Sequence, residues 1–594
     1  MDRRTMMIGT ALAALLVAAR ALPKAADIPK ALNALFDQFM KENLDLSPVS
    51  ATYYGMDSGA RTPQKSEIDD GSEAGIERQK TLIASQLARL KALGRAGLSA
   101  ADATSYDVIM YGLRTTDAAN RMFRYGPSGA GQPYVLSQKN GGYRQLPSFL
   151  DTQHTIETKA DADAYIARLA GFATLLDQEI EVARHDRAMG VTAPDFALAK
   201  TLIQMQALRA SAPEESPLTT SVARRAKEKK IPGDYAQQAS RAVKQKIYPA
   251  LERQMALVAE MQQKASHDAG VWRLPDGEAY YAASLVAWVT TSKNPADIHE
   301  LGLALVQDHS AQIDTIMRKL GMTRGTVGER LRAMYKDPNN LYPNTDSAKQ
   351  ALLVHLNTRV QRLRVKLPNY FGTVPKADVE IRRVPKEIEA GAGASYNNAS
   401  LDGKRPGTYW INLRDMAEHP KWSLPTLTYH ESVPGHHLQL SIQQEANLPL
   451  IRKVSFYSAY GEGWALYAEQ LAAEMGEYDD DPLGHIGQLH DSMYRAVRLV
   501  VDTGLHCKQW TREQAVRYFA DTLGDPETTA ITEVERYCVW PAQACAYMLG
   551  KLAFLAQRAR AQKSFGTKYD IRKFHDAMLL PGALPLELLE RIYI

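Results

Sequence analysis

The sequence predicts a mostly α-helical protein with one very small β-sheet, and three observations predict it. Apolar residues recur at helical spacing over most of the chain. Strand-like alternation is confined to a short stretch between about residues 378 and 413. The two patterns meet at Tyr429–Gln439, YHESVPGHHLQ, which holds three of the 14 histidines within eight residues. The composition, 45% hydrophobic and 23% charged over 594 residues, is that of a globular chain with ample length for a large core. A formal net charge of +4 is small for this size and argues against nucleic acid or a membrane surface as the main partner.

In chain order, Arg3 and Arg4 precede an apolar run, Met6–Ala19, and Ala19-Arg20-Ala21 has the small-x-small pattern of a cleavage site. Residues 1–26 therefore read as an export signal, and DRRTMM is similar to a twin-arginine signal. The expected location is periplasmic or secreted. No later run is long and apolar enough to span a membrane. Residues 27–594 read as a single helical domain whose catalytic half covers about 375–594. From Asp27 to about Tyr342 the pattern is helical. Ile166, Leu169, Phe172, Leu176 and Ile180 share one face, and Gly190 and Pro194 follow as stop signals. Ala236–Lys264 and Ala296–Leu320 behave alike. The Gly-rich Gln132–Ser148 reads as a connection or as the lining of a cleft. His154, His185, His267, His299, His309 and His355 show no ligand spacing and read as surface or satisfied histidines. Cys507, Cys538 and Cys545 give neither a disulfide framework nor a Cys-x-x-Cys site.

Asp378–Val384 alternates between Pro375 and Pro385 and reads as a strand. Gly391–Asn398 and Asp402–Gly407 read as turns, and Thr408–Leu413 as another strand. This small sheet either lies beside an extended substrate, giving it main-chain hydrogen bonds, or is a structural hairpin. After Gln439 the chain is helical to its end, through Ser458–Glu474, Gly484–His506 and Glu533–Gly550.

His-Glu at the start of a helix with a further His is the arrangement in which two imidazoles hold a metal and the Glu deprotonates water. The spacing here is not H-E-x-x-H. The position four after His430 is Pro434; His436 is six on, about 240° round a regular helix, and His437 is seven on but roughly 10 Å up the axis. Zn–N bonds are about 2.0–2.1 Å, so a straight helix lets neither share an ion with His430. Pro434 withholds an N–H and crowds the preceding turn. Pro434-Gly435 thus reads as an insertion that bulges the helix and returns His436 to the metal. The alternative is a helix that ends at Val433, with surface histidines on the next one.

A catalytic zinc takes three protein ligands and one open position. His430 and His436 supply two, and Glu462, set between Gly461 and Gly463, is the best third. Glu469, seven further on, orients a ligand or forms an ion pair. Asp502 and His506 are spaced i,i+4, either as a metal-linked pair or as an ordinary helix-surface pair. Glu431 is the expected general base. Tyr537 is a candidate donor to an oxyanion, or else a half-buried core aromatic.

The segments HESVPGHHLQ, YGEGWALYAEQL, RLVVDTGLH and ERYCVWPAQACAYMLGK resemble the domain of unknown function 885 family over nearly the whole mature chain, with DGKRPGTYWINL also matching. That family in turn resembles helical zinc peptidases of the angiotensin-converting enzyme and thermostable carboxypeptidase type. The resemblance implies a large two-lobed helical body with a deep cleft and a very small sheet next to the metal helix. It implies one Zn2+ per chain on His430, His436 and Glu462, with Glu431 as base. Arg536-Tyr537-Cys538-Val539 is similar to the stretch whose Tyr stabilises the oxyanion. Gly435-His436 matches the Gly-His of those peptidases, which favours His436 over His437. The chain departs from them in the Pro-Gly insertion and in lacking the His before Arg-Tyr, where Glu527 lies nearby. The expected activity is zinc-dependent hydrolysis of short peptides. The rivals are a non-catalytic peptide-binding scaffold and a metal hydrolase of another bond.

Overall fold

A computed structural model describes residues 28–384, 389, 394–401 and 405–592. The expected export signal, residues 1–26, lies outside the described residues, as do parts of the turns expected at 391–398 and 402–407. The described chain is mostly helical, with one three-stranded sheet. Among the described residues no helix is long and apolar enough to cross a membrane.

The helices form where the periodicity placed them. Lys159–Ala188 opens on a capping box in which Thr158 and Asp161 each bond the other's backbone N–H, satisfying two free donors of the first turn. The helical stretch expected at 236–264 runs from Tyr235 to Lys264 but widens into a π-turn over Val243–Ile247. Pro249, just beyond, cannot donate to the carbonyl one turn back, and the wider turn accommodates that loss.

Pro295–Lys319 packs along the buried helix Pro482–Cys507. A Cβ at Gly302 would stand 2.8 Å from Val500 Cγ2, so only glycine allows this approach. His299 Nδ1 meets Thr503 Oγ1 and His309 Nε2 meets Ser492 Oγ, each at 2.8 Å. Both histidines are buried, and each satisfies a polar group between helices. His154 is likewise buried between the Asp161 carbonyl and Arg168. The main apolar core draws on residues from Val108 to Leu589, so the helices before residue 375 and those after it share one interior.

The sheet is built from β1 (Val379–Arg383), β2 (Ser395–Asn397) and β3 (Gly407–Ile411). Its order is β1-β3-β2: β1 runs parallel to β3, with Ile381 opposite Tyr409, and β2 runs antiparallel to β3, with Tyr396 opposite Tyr409. The stretch expected at 391–398 to be all turn therefore supplies the third strand.

Two expectations need correction. The Pro-Gly insertion does not bulge one helix. It separates two, Leu424–Glu431 and His436–Glu445, because Ser432 leaves helical angles and Gly435 N–H reaches back to the Tyr429 carbonyl at 3.0 Å. The stretch 533–550 is also two helices, Glu527–Val539 and Ala546–Phe565, parted at Trp540-Pro541-Ala542. Proline disfavours helical angles in the residue before it, and Trp540 is non-helical.

Candidate metal centre

The two short helices set the site. Leu424–Glu431 ends with His430 and Glu431, both buried, and the next helix begins on His436. Gly435 is obligatory between them: a Cβ there would lie 1.9 Å from the His430 carbonyl oxygen. Trp464 Nε1 donates to the Pro434 carbonyl at 2.9 Å and ties the connection to the helix Ser458–Glu474. The result brings the His430 and His436 rings to 4.8 Å between centroids at 90°. A straight helix could not do this.

Glu462 closes the cluster. Its Oε2 lies 3.5 Å from His430 Nε2 and 3.3 Å from His436 Nε2. The three donor atoms all fall within 4.8 Å of one another. Its side chain keeps 16% exposure, whereas that of Glu469, about two turns further along the same face of the helix, has none. Glu469 Oε1 meets His430 Nδ1 at 2.7 Å and so turns Nε2 toward Glu462. Arg495 Nη2 stands 3.8 Å from the same carboxylate. Glu469 thus holds the His430 ring and faces Arg495.

The glycines flanking Glu462 each permit a close approach. A Cβ at Gly463 would lie 2.4 Å from the Gly550 Cα, and one at Gly461 would meet the Phe456 ring at 2.6 Å. Gly463 lets the helices Ser458–Glu474 and Ala546–Phe565 cross closely, and Gly461 leaves room for Phe456.

The electrostatics are those of a compact charged cluster. Burial alone would raise the Glu462 carboxyl, but bonds from His430 and His436 hold it well below the usual carboxylate range. Burial would lower His430, yet Glu462 and Glu469 push it up to about 10. Burial raises Glu431, against the charges of His436 and His430. His436 Nδ1 is buried and has no hydrogen-bond partner among the described residues.

His437 is engaged elsewhere. Its Nδ1 meets Tyr396 Oη at 2.9 Å and its Nε2 meets the Ala377 carbonyl at 3.0 Å, so it fastens the sheet to the second histidine helix. Asp502 and His506 are also away from the cluster, and neither is on the surface. Asp502 Oδ1 accepts from Tyr281 Oη at 2.6 Å and from Ala542 N–H at 3.0 Å. His506 accepts from Val271 N–H at 3.1 Å and lies 3.0 Å from the Tyr537 carbonyl.

Tyr537 is fully buried. Its hydroxyl accepts from Arg498 Nε at 3.0 Å and donates to Glu533 Oε2 at 2.9 Å. No contact joins it to the three donors. Tyr547, which the sequence reading passed over, feels the negative charge of Glu462 and lies under the Arg498 guanidinium, 4.4 Å from its ring centre. Its signal in the sequence was only its place after Pro541, where the helix restarts.

The fold and cluster together define a mostly helical protein with a buried His-His-Glu centre backed by a second carboxylate. The chain belongs to the DUF885 family, described as bacterial protein of unknown function, whose model matches residues 48–592. A crystal structure described as a "putative lipoprotein" from Colwellia psychrerythraea shares 33% identity. It superposes with a TM-score of 0.91 and covers 95% of this chain and 98% of that one. A second, a "putative lipoprotein of unknown function" from Shewanella oneidensis, shares 17% identity and the fold, with a TM-score of 0.68 over 96% of this chain and 99% of that one. No curated protein matches the sequence.

Proposed function

We propose that the protein is a zinc-dependent peptidase of short peptides, acting in the cell envelope or outside the cell. The observation that carries this reading is the convergence of His430 Nε2, His436 Nε2 and Glu462 Oε2. Two donors each about 2.05 Å from one tetrahedral ion lie about 3.3 Å apart. The Glu462–His separations of 3.5 and 3.3 Å fit that spacing. The donor set, two imidazoles and a carboxylate, suits zinc and leaves one position open. Glu469 holds His430 by its other nitrogen, as a ligand imidazole is usually held.

Zinc, when bound, lowers the pKa of a water and polarises a carbonyl oxygen. The chain's own residues do the rest. Glu431, next to His430 and buried, takes the proton of the attacking water and returns it to the leaving amine. A neutral hydroxyl then donates to the oxyanion. Tyr537 was the expected donor, but its hydroxyl bridges Arg498 and Glu533; we propose Tyr547, which feels the charge of Glu462, in its stead. The lipoprotein descriptions of the two similar structures agree with the export reading of residues 1–26.

The test is metal content by mass spectrometry beside a peptide-hydrolysis assay. About one zinc per chain is expected in the wild type and in Glu431→Gln, with hydrolysis lost in the latter. Zinc should be lost in His430→Ala, His436→Ala and Glu462→Ala. A folded wild type that takes up no zinc would overturn the reading.

A further inference from the structure

The carboxylate behind His430 is only half bonded. Glu469 Oε1 meets His430 Nδ1 at 2.7 Å, but Oε2 has no hydrogen-bond partner among the described residues. The side chain has no exposure, and a buried acceptor left unmatched is costly. Arg495, on the helix Pro482–Cys507, has the complementary fault. Its Nε is buried and also lacks a partner among the described residues. Its Nη2 stands 3.8 Å from Glu469 Oε1.

The third nitrogen of that guanidinium is engaged. Nη1 donates to Asp491 Oδ1 at 2.5 Å and to the Asp491 carbonyl at 3.2 Å, one turn back on the same helix. The group also lies 5.2 Å from the centre of the Tyr494 ring. Nε and Nη2 form one edge of a guanidinium, and two N–H groups in parallel along such an edge match the two oxygens of a carboxylate. The edge that Asp491 leaves unused therefore carries Nη2, the nitrogen facing Glu469, and each side of the pair holds one unmatched atom. A second buried cation, Lys551, also feels the charge of Glu469, but its ammonium bonds Ser492 Oγ, at 2.9 Å. It contributes charge and no fork.

We propose that Arg495 is a positioning residue of the metal centre: its Nε–Nη2 edge clamps both oxygens of Glu469, and Glu469 in turn fixes the His430 ring with Nε2 aimed at the ion. This rests on the metal-binding part of the reading above. Held at one oxygen, a carboxylate turns about its terminal bond; held at both by a planar fork, it does not. Arg495 touches neither ion nor substrate in this role. Its loss is felt in how tightly zinc is held and how well the bound metal is oriented, and not in substrate affinity.

The test is the zinc affinity of the full chain, by competition with a chromophoric chelator, followed by kcat and KM of the zinc-saturated forms on one short peptide. Arg495→Met is expected to weaken zinc binding by about 10- to 100-fold, the usual effect of losing a group that holds a ligand's partner. Arg495→Lys keeps the charge without the fork and should recover only part of that loss. In a Glu469→Gln background Arg495→Met should add about twofold at most, because it acts through that carboxylate. Zinc-saturated Arg495→Met should have a lower kcat and nearly the wild-type KM. Lys551→Met, which removes a charge and no fork, should weaken zinc binding less than Arg495→Met does. Wild-type zinc affinity in Arg495→Met overturns this inference and leaves the metal reading standing. So does an undiminished loss in the Glu469→Gln background, an equal loss in Lys551→Met, or a raised KM at unchanged kcat. Where Arg495→Met does not fold, Arg495→Lys decides: zinc held as tightly as in the wild type overturns the clamp. A folded wild type that binds no zinc overturns the metal reading, and this inference with it. The affinity comparison stands whether or not the peptide is cut.

Discussion

Tyr537 and Tyr547 lie ten residues apart on either side of Pro541, and phenylalanine at each separates their roles. Tyr547→Phe is expected to lower turnover by about a hundredfold or more, the loss seen when one oxyanion donor is removed. Tyr537→Phe leaves Arg498 and Glu533 a partner short in a buried place. It should cost about 1–3 kcal/mol of stability in urea unfolding and change turnover less. The reverse pattern would return the catalytic role to Tyr537. Asp502 makes a second residue-scale prediction. Burial pushes its carboxyl up to about 7, despite the bonds from Tyr281 and Ala542, against 3.8 for an ordinary aspartate. Between those values the folded state holds a proton that the unfolded state has released. The contribution of Asp502 is therefore most favourable below about pH 4 and is lost as pH rises toward 7. Asp502→Asn cannot ionise, so the wild-type minus variant difference in unfolding free energy should fall by about 3 kcal/mol from pH 4 to pH 7. A flat difference would mean that Asp502 ionises as freely folded as unfolded.

At the scale of elements, the crossing of Ser458–Glu474 with Ala546–Phe565 decides where Glu462 points. Gly463→Ala drives a methyl against the Gly550 backbone, which cannot move aside, and should cost about 2–3 kcal/mol in urea unfolding, with a lower affinity for zinc. Gly461→Ala should cost less, because the atoms it meets belong to Phe456, a side chain 53% exposed. Equal costs would show that the close approach at Gly550 is not what the glycine serves. The sheet offers the same lesson. Periodicity found β1 and β3, whose alternation follows from one buried face, but it missed β2. Three residues are too few to carry a period, and Tyr396 is placed by its bonds to His437 and by its pairing with Tyr409.

For the whole molecule, a metal bound as proposed by His430, His436 and Glu462 would join three separate helices and stabilise the folded chain by mass action. Zinc at a hundredfold its dissociation constant adds about 2.7 kcal/mol. Chelation should therefore lower the melting temperature of the wild type and leave that of His430→Ala unchanged. A wild-type melting temperature indifferent to chelator would remove the structural support for a bound ion. Because one apolar core runs from Val108 to Leu589, unfolding should stay cooperative rather than shed the first half alone.

The helical class, the small sheet and the candidate donors His430, His436 and Glu462 were determined by the sequence itself. Helical periodicity, a proline-bounded alternation and a rare run of His-Glu-His-His are local signals that need no partner to be read. Tertiary structure decided what the spacing could not. It broke the His-Glu helix in two, turned His437 into a fastening for the sheet, and buried Asp502 and His506 in the core. It gave Gly463, beside Glu462, to a helix crossing. It also brought Gln138 to the Glu535 carbonyl across nearly four hundred residues of chain. Each of these depends on contacts between segments remote in sequence, and such contacts leave no periodicity in either segment.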